Sequence, residues 1–276
     1  MTWQYTRRWS GPIHAVVFDW AGTVIDHGCC APVETFREVL RRRGVDISIS
    51  RAREPMGTHK RVHLETLLAM PEVATAWKDR HGHPVTLDDI DAMYTELVDL
   101  QLGTLAAHAE PIPGVLPAID KLRARGIRIG STTGYIPEML TVVAAAAAEK
   151  GYVPDCAVSA GEVPVGRPAP FLIFEAMKRL GVWPTAAVVA VGDTISDVEA
   201  GLAAGVWSIG VAVTGNQVGL SLADWQALPP AEQATRRDAA RQSLAAAGAH
   251  LVIDSVSEIV DAIDVIEAWL ADGERP

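Results

Sequence analysis

Six short apolar runs punctuate the chain: IHAVVF at 13–18, IRIGSTT at 127–133, CAVSA at 156–160, AAVVAVG at 186–192, WSIGVAV at 207–213 and HLVID at 250–254. Helical patterns separate most of them. Short apolar strands alternating with helices predict a parallel sheet wrapped by helices, because parallel strands need crossovers and bury both faces. The helices expected near 137–150, 170–180, 195–204 and 255–270 carry their own punctuation. Pro137 suits a first turn, while Gly151 and Gly181 follow last turns.

One interval breaks the rhythm. About a hundred residues without a strand-like run lie between the first two apolar runs, too many for an ordinary crossover. They hold helical patterns at 34–43, 61–69, 72–80 and 87–107, the last two joined by HGHPVT. The expected architecture is therefore α/β, a Rossmann-like parallel sheet core with an inserted helical cap domain. The core takes 1–27 and 108–276, and the cap takes 28–107. The Ala-, Arg- and Gln-rich stretch at 227–249 reads as a surface helix. No role is assigned to the N-terminal extension, residues 1–12.

Composition narrows the partners. Hydrophobic residues make up 49% of the 276 and charged residues 21%, which supplies a core and excludes disorder over most of the length. Against 34 acidic residues there are 24 Lys and Arg, a net charge of −10, so no overall positive field draws in nucleic acid or an anionic membrane. Local groups must hold any anionic substrate. The three cysteines, Cys29, Cys30 and Cys156, have no CxxC or zinc spacing and point to reduced thiols. The first apolar run ends at Asp19 and is too short for a signal peptide. No stretch approaches the roughly 20 apolar residues of a membrane span. A cytoplasmic protein is expected.

Ligands of doubly wound sheets sit at the carboxyl ends of the strands. Those positions hold Asp19-Trp20-Ala21-Gly22-Thr23, then Ser131-Thr132-Thr133-Gly134-Tyr135, then Gly166-Arg167-Pro168, then Gly192-Asp193-Thr194-Ile195-Ser196-Asp197. Each piece alone could be a helix cap or a turn. Together they suit phosphoryl transfer: a carboxylate such as Asp19 can attack phosphorus, provided the repulsion between anions is neutralised. Mg²⁺ favours one or two carboxylates with phosphate oxygen. Asp193 and Asp197, four apart at a helix start, are expected to face one way and hold the metal beside Asp19. Thr133 and Arg167 would bind the remaining phosphoryl oxygens.

This ordered set resembles the haloacid dehalogenase superfamily: a DxxGT first motif, a threonine at the second strand tip, a basic third motif and a GDTxxD fourth motif. Phosphatases and mutases of that superfamily usually carry an acid two residues after the nucleophile, and here that position is Ala21. The leaving group then takes no proton from this place, which fits carbon. Cleaving P–C needs an electron sink, and a lysine iminium supplies one when a carbonyl adjoins the departing carbon. The segment PMGTHKRVH at 55–63 offers Lys60, with His63 on the same helical face to shuttle protons. A helical lysine is more often a solvated surface group, so the first motif carries this reading.

Taken together, DWAGTVIDHGCCAP, PMGTHKRVH, IGSTTGY, GRPAP and GDTISDVEAG resemble the phosphonatase branch of that superfamily. The likeness extends through AVTGNQVGL at 212–220 and AGAHLVID at 247–254. It implies hydrolysis of a phosphonoaldehyde through a Schiff base on Lys60 and an aspartyl phosphate on Asp19. It also implies Mg²⁺ held by Asp19, Asp193 and the Ala21 carbonyl, with Asp197 in support. Cys29, Met56, His63, Gly134 and Tyr135 would line the pocket, with Thr133 and Arg167 at the phosphoryl group. A homodimer through the cap is implied as well. Without the likeness, Cys29 and Met56 read as packing and Tyr135 as loop stacking. The rival readings are a Mg²⁺-dependent phosphate-ester hydrolase or sugar-phosphate mutase, a haloacid dehalogenase, and a silent phosphometabolite-binding protein.

Overall fold

A computed structural model describes residues 9–276; residues 1–8, part of the extension left without a role, lie outside the described residues. Among the described residues six strands form one sheet: β1 (Ala15–Phe18), β2 (Arg128–Thr133), β3 (Cys156–Ser159), β4 (Val188–Gly192), β5 (Trp207–Val211) and β6 (Leu251–Ile253). Their order is β3-β2-β1-β4-β5-β6, and every pairing is parallel.

Strand side chains alternate between two apolar layers, as the period of two requires. Val16, Phe18, Ile129, Val189, Val191 and Ile209 face one layer, closed by α6 (Val115–Ala124), α7 (Pro137–Glu149) and α12 (Ile259–Ala271). Ala15, Val17, Val158, Val188 and Ala190 face the other, closed by α8 (Phe171–Leu180) and α9 (Ile195–Ala204). All six strands fall inside the expected apolar runs. The helix expected from 255 starts as α12 at Ile259, after a 3₁₀ turn at Val256–Glu258. Helix α6 was not expected; its Pro117 sits in the first turn, where no backbone N–H is needed.

The long interval forms a helical lobe: α1 (Cys30–Arg42), α2 (Ile49–Arg53), α3 (Lys60–Ala69), α4 (Pro71–His81) and α5 (Leu87–Thr104). It has an apolar cluster of its own, in which Val33, Phe36 and Leu40 of α1 meet Met93 and Leu97 of α5 and Trp77 of α4. Burying each such side chain contributes roughly 1.5–3 kcal/mol, so the lobe has its own source of cohesion. The short α2 escapes a periodicity reading, since five residues make little more than one turn; Ser48 caps it by accepting from the Arg51 N–H. Beyond β5 come α10 (Leu222–Ala227) and α11 (Pro230–Ala246), the latter burying only Ala240 and Leu244, as a surface helix should.

This topology positions the chemistry. The chain leaves β1 toward β2 on one side, while β4 returns to the other side of β1. Asp19 and Asp193 follow these two adjacent strands, at the point where the winding reverses and a crevice opens.

Candidate active site

At the tip of β1 the Asp19 N–H donates to the Val191 carbonyl at 2.8 Å, which fixes its backbone against β4. Gly22 then turns the chain at φ 84°, and a Cβ there would overlap the Asp193 carboxylate. Only glycine allows the two strand-end loops to lie this close.

Asp19, Asp193 and Asp197 are all buried, and one oxygen of each lies within 4.8 Å of the others. Asp193 and Asp197 do not share a helix face as expected. Asp193 precedes Thr194, the N-cap of α9, and its Oδ2 accepts the Asn216 N–H at 2.7 Å. Asp197 is the third residue of α9 and closes a capping box, with Oδ2 accepting the Thr194 N–H at 3.1 Å. Its Oδ1 lies 2.7 Å from Arg167 Nη1. Burial, then repulsion from Asp19 and Asp197, pushes the Asp193 carboxyl well above the carboxylate range. Burial against the counter-pull of Arg167 raises Asp197 to about 6. A donor set of crowded hard oxygens, strained by its own charge, fits a divalent cation.

Arg167 is buried and turned toward protein groups. Its Nη1 donates to Asp19 Oδ1 at 2.7 Å, and Nη2 donates to Thr132 Oγ1 at 2.7 Å and to the Thr132 carbonyl at 2.9 Å. Thr133 Oγ1 accepts the Tyr135 N–H at 3.1 Å, stiffening the turn after β2.

Lys60 opens α3 and is only 4% exposed. Its Nζ lies 4.9 Å from the centre of the Tyr135 ring and 5.9 Å from that of Phe36. Burial lowers its pKa, opposed by the charges of Asp19 and Asp193. Residue His63, one turn along α3, stacks on Phe36 with ring centres 3.7 Å apart. Its Nε2 donates to the Ala52 carbonyl at 2.9 Å, while Nδ1 is buried without a partner. Burial, then Lys60, pushes its pKa well down, so the ring is neutral and Nδ1 is a bare acceptor. Burial holds Cys29 as a thiol and Tyr135 as a phenol, both raised well above their ordinary values.

The structure brings the expected set together. Asp19, Ala21, Cys29, Met56 and Lys60 meet Thr133, Gly134, Tyr135, Arg167 and Asp193, distant from them in sequence, around one cavity. His63 lies behind Lys60, and Asp197 lies behind Arg167. The cavity measures about 20 Å³, and a single water needs about 10–15 Å³. The lobe therefore stands closed on the sheet. Gly57, at φ 89°, packs so tightly on Thr194 that a Cβ would overlap its hydroxyl.

Residues 13–205 match the haloacid dehalogenase-like hydrolase family. A phosphonoacetaldehyde hydrolase of Nitratidesulfovibrio vulgaris is 45% identical over 271 residues, 98% of this chain and 97% of that one. One from Paraburkholderia phytofirmans is 46% identical over 264 residues, 96% of this chain and 99% of its own. The chain belongs to the phosphonoacetaldehyde hydrolase family. A crystal structure of a phosphonoacetaldehyde hydrolase-like protein from Oleispira antarctica superimposes over 100% of both chains, with TM-score 0.98 and 39% identity.

Family membership and the acidic triad together fit a divalent metal site. Among the described residues no helix is long and apolar enough to cross a membrane. Three participants were not singled out from the sequence. Thr132 anchors Arg167, Asn216 holds Asp193, and the Thr23 hydroxyl donates to Asp193 Oδ1 at 3.4 Å. Thr132 and Thr23 stand beside motif residues, so adjacency was a signal; Asn216 lies in the 212–220 stretch, where likeness alone marked it.

Proposed function

We propose that this chain hydrolyses the carbon–phosphorus bond of phosphonoacetaldehyde to acetaldehyde and phosphate. The observation that carries the reading is Lys60, a buried amine of lowered pKa in the same cavity as Asp19. The names of the relatives support it. So does Ala21, which leaves no acid two residues beyond the nucleophile to protonate a departing ester oxygen.

In this reading the neutral Lys60 amine adds to the aldehyde carbon and loses water, giving an iminium. The bare Nδ1 of His63 accepts and returns the protons of that exchange. An Asp19 oxygen attacks phosphorus, and the P–C electron pair moves into the iminium to form an enamine. The enamine is protonated at carbon. Water then hydrolyses the aspartyl phosphate and the iminium, releasing phosphate and acetaldehyde and restoring both side chains. Arg167, tied to Asp19, supplies positive charge where the phosphoryl group arrives, and Thr133 lines the same cavity. Mg²⁺, held by Asp19, Asp193 and the Ala21 carbonyl with Asp197 in support, would offset the repulsion between the carboxylate and the dianionic phosphonate. Tyr135, Cys29, Met56 and Gly134 shape the apolar wall that keeps Lys60 dry.

Residues 28–107 act as the cap domain in this reading, with 1–27 and 108–276 as the core. Exposed apolar side chains on the lobe, Val62 at 48% and Leu87 at 71%, support a homodimer through it. Three free thiols support a cytoplasmic setting. The deciding experiment compares phosphate release from phosphonoacetaldehyde with release from a panel of phosphate esters, with Mg²⁺ present. The expected result is turnover of the phosphonate alone, and preferential turnover of an ester would return the advantage to a phosphatase.

A further inference from the structure

We propose that Arg53 is the latch that holds the helical lobe closed, a positioning residue that also sets the Asp193 carboxylate through Asn216. Arg53 is the last residue of α2 and belongs to the lobe. Its Nη1 donates to the Gly28 carbonyl at 2.8 Å, to the Cys29 carbonyl at 3.2 Å and to Asn216 Oδ1 at 3.0 Å. Its Nη2 donates to the Gly219 carbonyl at 2.9 Å. Asn216 answers through Nδ2, which reaches the Arg53 carbonyl at 3.3 Å, and its backbone N–H is the donor to Asp193 Oδ2.

One planar guanidinium thus ties three segments: α2, the linker that leads from β1 into the lobe, and the loop that follows β5. The loop belongs to the sheet side and carries the donor that orients Asp193. Opening the lobe must break the bonds to Asn216 and Gly219, because Arg53 departs while they stay. Opening is required, since a cavity of about 20 Å³ admits no phosphonate. Outside the seam lies a cleft of about 600 Å³, lined by Arg53 and Asn216 and sharing Met56 and Thr194 with the inner cavity. Met56 and Thr194 stand between cleft and cavity, and Arg53 pins the lobe beside them, so its release opens a way in for the substrate. Lysine is no substitute, because a single ammonium cannot fork to Gly28 on one side and Gly219 on the other.

The proposal rests on the functional reading only in taking Asp193 as a metal ligand; closure is read without any substrate. Hydrogen–deuterium exchange of the free protein should show the Gly28 and Asn216 amides exchanging at least tenfold faster in Arg53→Ala and Arg53→Lys, with β1 and β4 amides unchanged. Calorimetry with Mg²⁺ alone should show about tenfold weaker binding in both variants. Asn216→Ala keeps its backbone N–H and should repeat both shifts more mildly, which serves if Arg53→Ala fails to fold. Unchanged exchange at Gly28 and Asn216 would overturn the latch. Faster exchange with unchanged Mg²⁺ affinity would overturn the link to Asp193. Preference for an ester would remove the proposed substrate and leave the exchange result standing, so the two failures are distinguishable.

Discussion

The Lys60 ammonium sits 4.9 Å from the centre of the Tyr135 ring, a residue far from it in sequence. The ring face offers weak stabilisation to the cation, too little to replace the water lost on burial, and the amine is left easier to deprotonate.

Borohydride added with phosphonoacetaldehyde or acetaldehyde should therefore inactivate the enzyme irreversibly, and peptide mapping should place the adduct on Lys60. Because burial lowers the folded pKa below the ordinary lysine value of 10.5, labelling should rise with pH through a midpoint below that value. Lys60→Arg keeps the charge but forms no imine. Its phosphate release should fall by roughly 10³-fold or more, the scale seen on losing a covalent catalyst. A label on another lysine would leave the P–C bond without an electron sink.

Phe36 lies under both Lys60 and His63. Phe36→Ala should lower stability by about 3–5 kcal/mol, as large-to-small core changes do, read by denaturant unfolding. Water entering the space would relieve the desolvation that depresses Lys60. The midpoint for borohydride labelling should then move up, toward 10.5.

Removing the charge cluster should stop the reaction without unfolding the sheet. Asp19→Asn, Asp193→Ala and excess chelator should each abolish phosphate release while the circular dichroism spectrum is retained. A full rate in chelator would exclude the metal.

Ala21→Asp places an acid two residues beyond Asp19. Carbon leaves without needing a proton from this place, so steady-state turnover of the phosphonate should not rise. The new carboxylate beside Asp19 and Asp193 should lower it by misdirecting Mg²⁺.

The two chain crossings between sheet and lobe are joined by His108 Nδ1 and Asp26 Oδ1, 3.1 Å apart. The bond to Asp26 raises the His108 pKa above its ordinary 6.5. Stability from this pair is accordingly complete below about pH 6.5 and fades as pH rises through the folded value. The wild type should lose a small increment of denaturant midpoint over that rise relative to His108→Gln, which should show none of it.

Local chemistry was legible along the chain. Short apolar runs marked β1 to β6, Pro137 and Gly181 bounded helices, and Asp19, Lys60 and Asp193 stood in motifs that are weak singly and were read from their order along the chain. The long strandless interval announced an inserted helical lobe. What the sequence by itself did not determine is how the side chains divide their bonds. The Arg167 guanidinium, expected on the phosphoryl group, spans Asp19 and Asp197. Asp193 stands outside α9 and is held by Asn216, 23 residues on. Arg53 finds Asn216 across 163 positions. Hydrogen bonds and Coulomb forces act through space over a few ångströms, and only the folded sheet, with the lobe closed on it, brings such distant residues within that range. The shifts in Lys60, His63 and Asp197 have the same origin, since desolvation depends on everything packed around a group and is not written in the residues beside it.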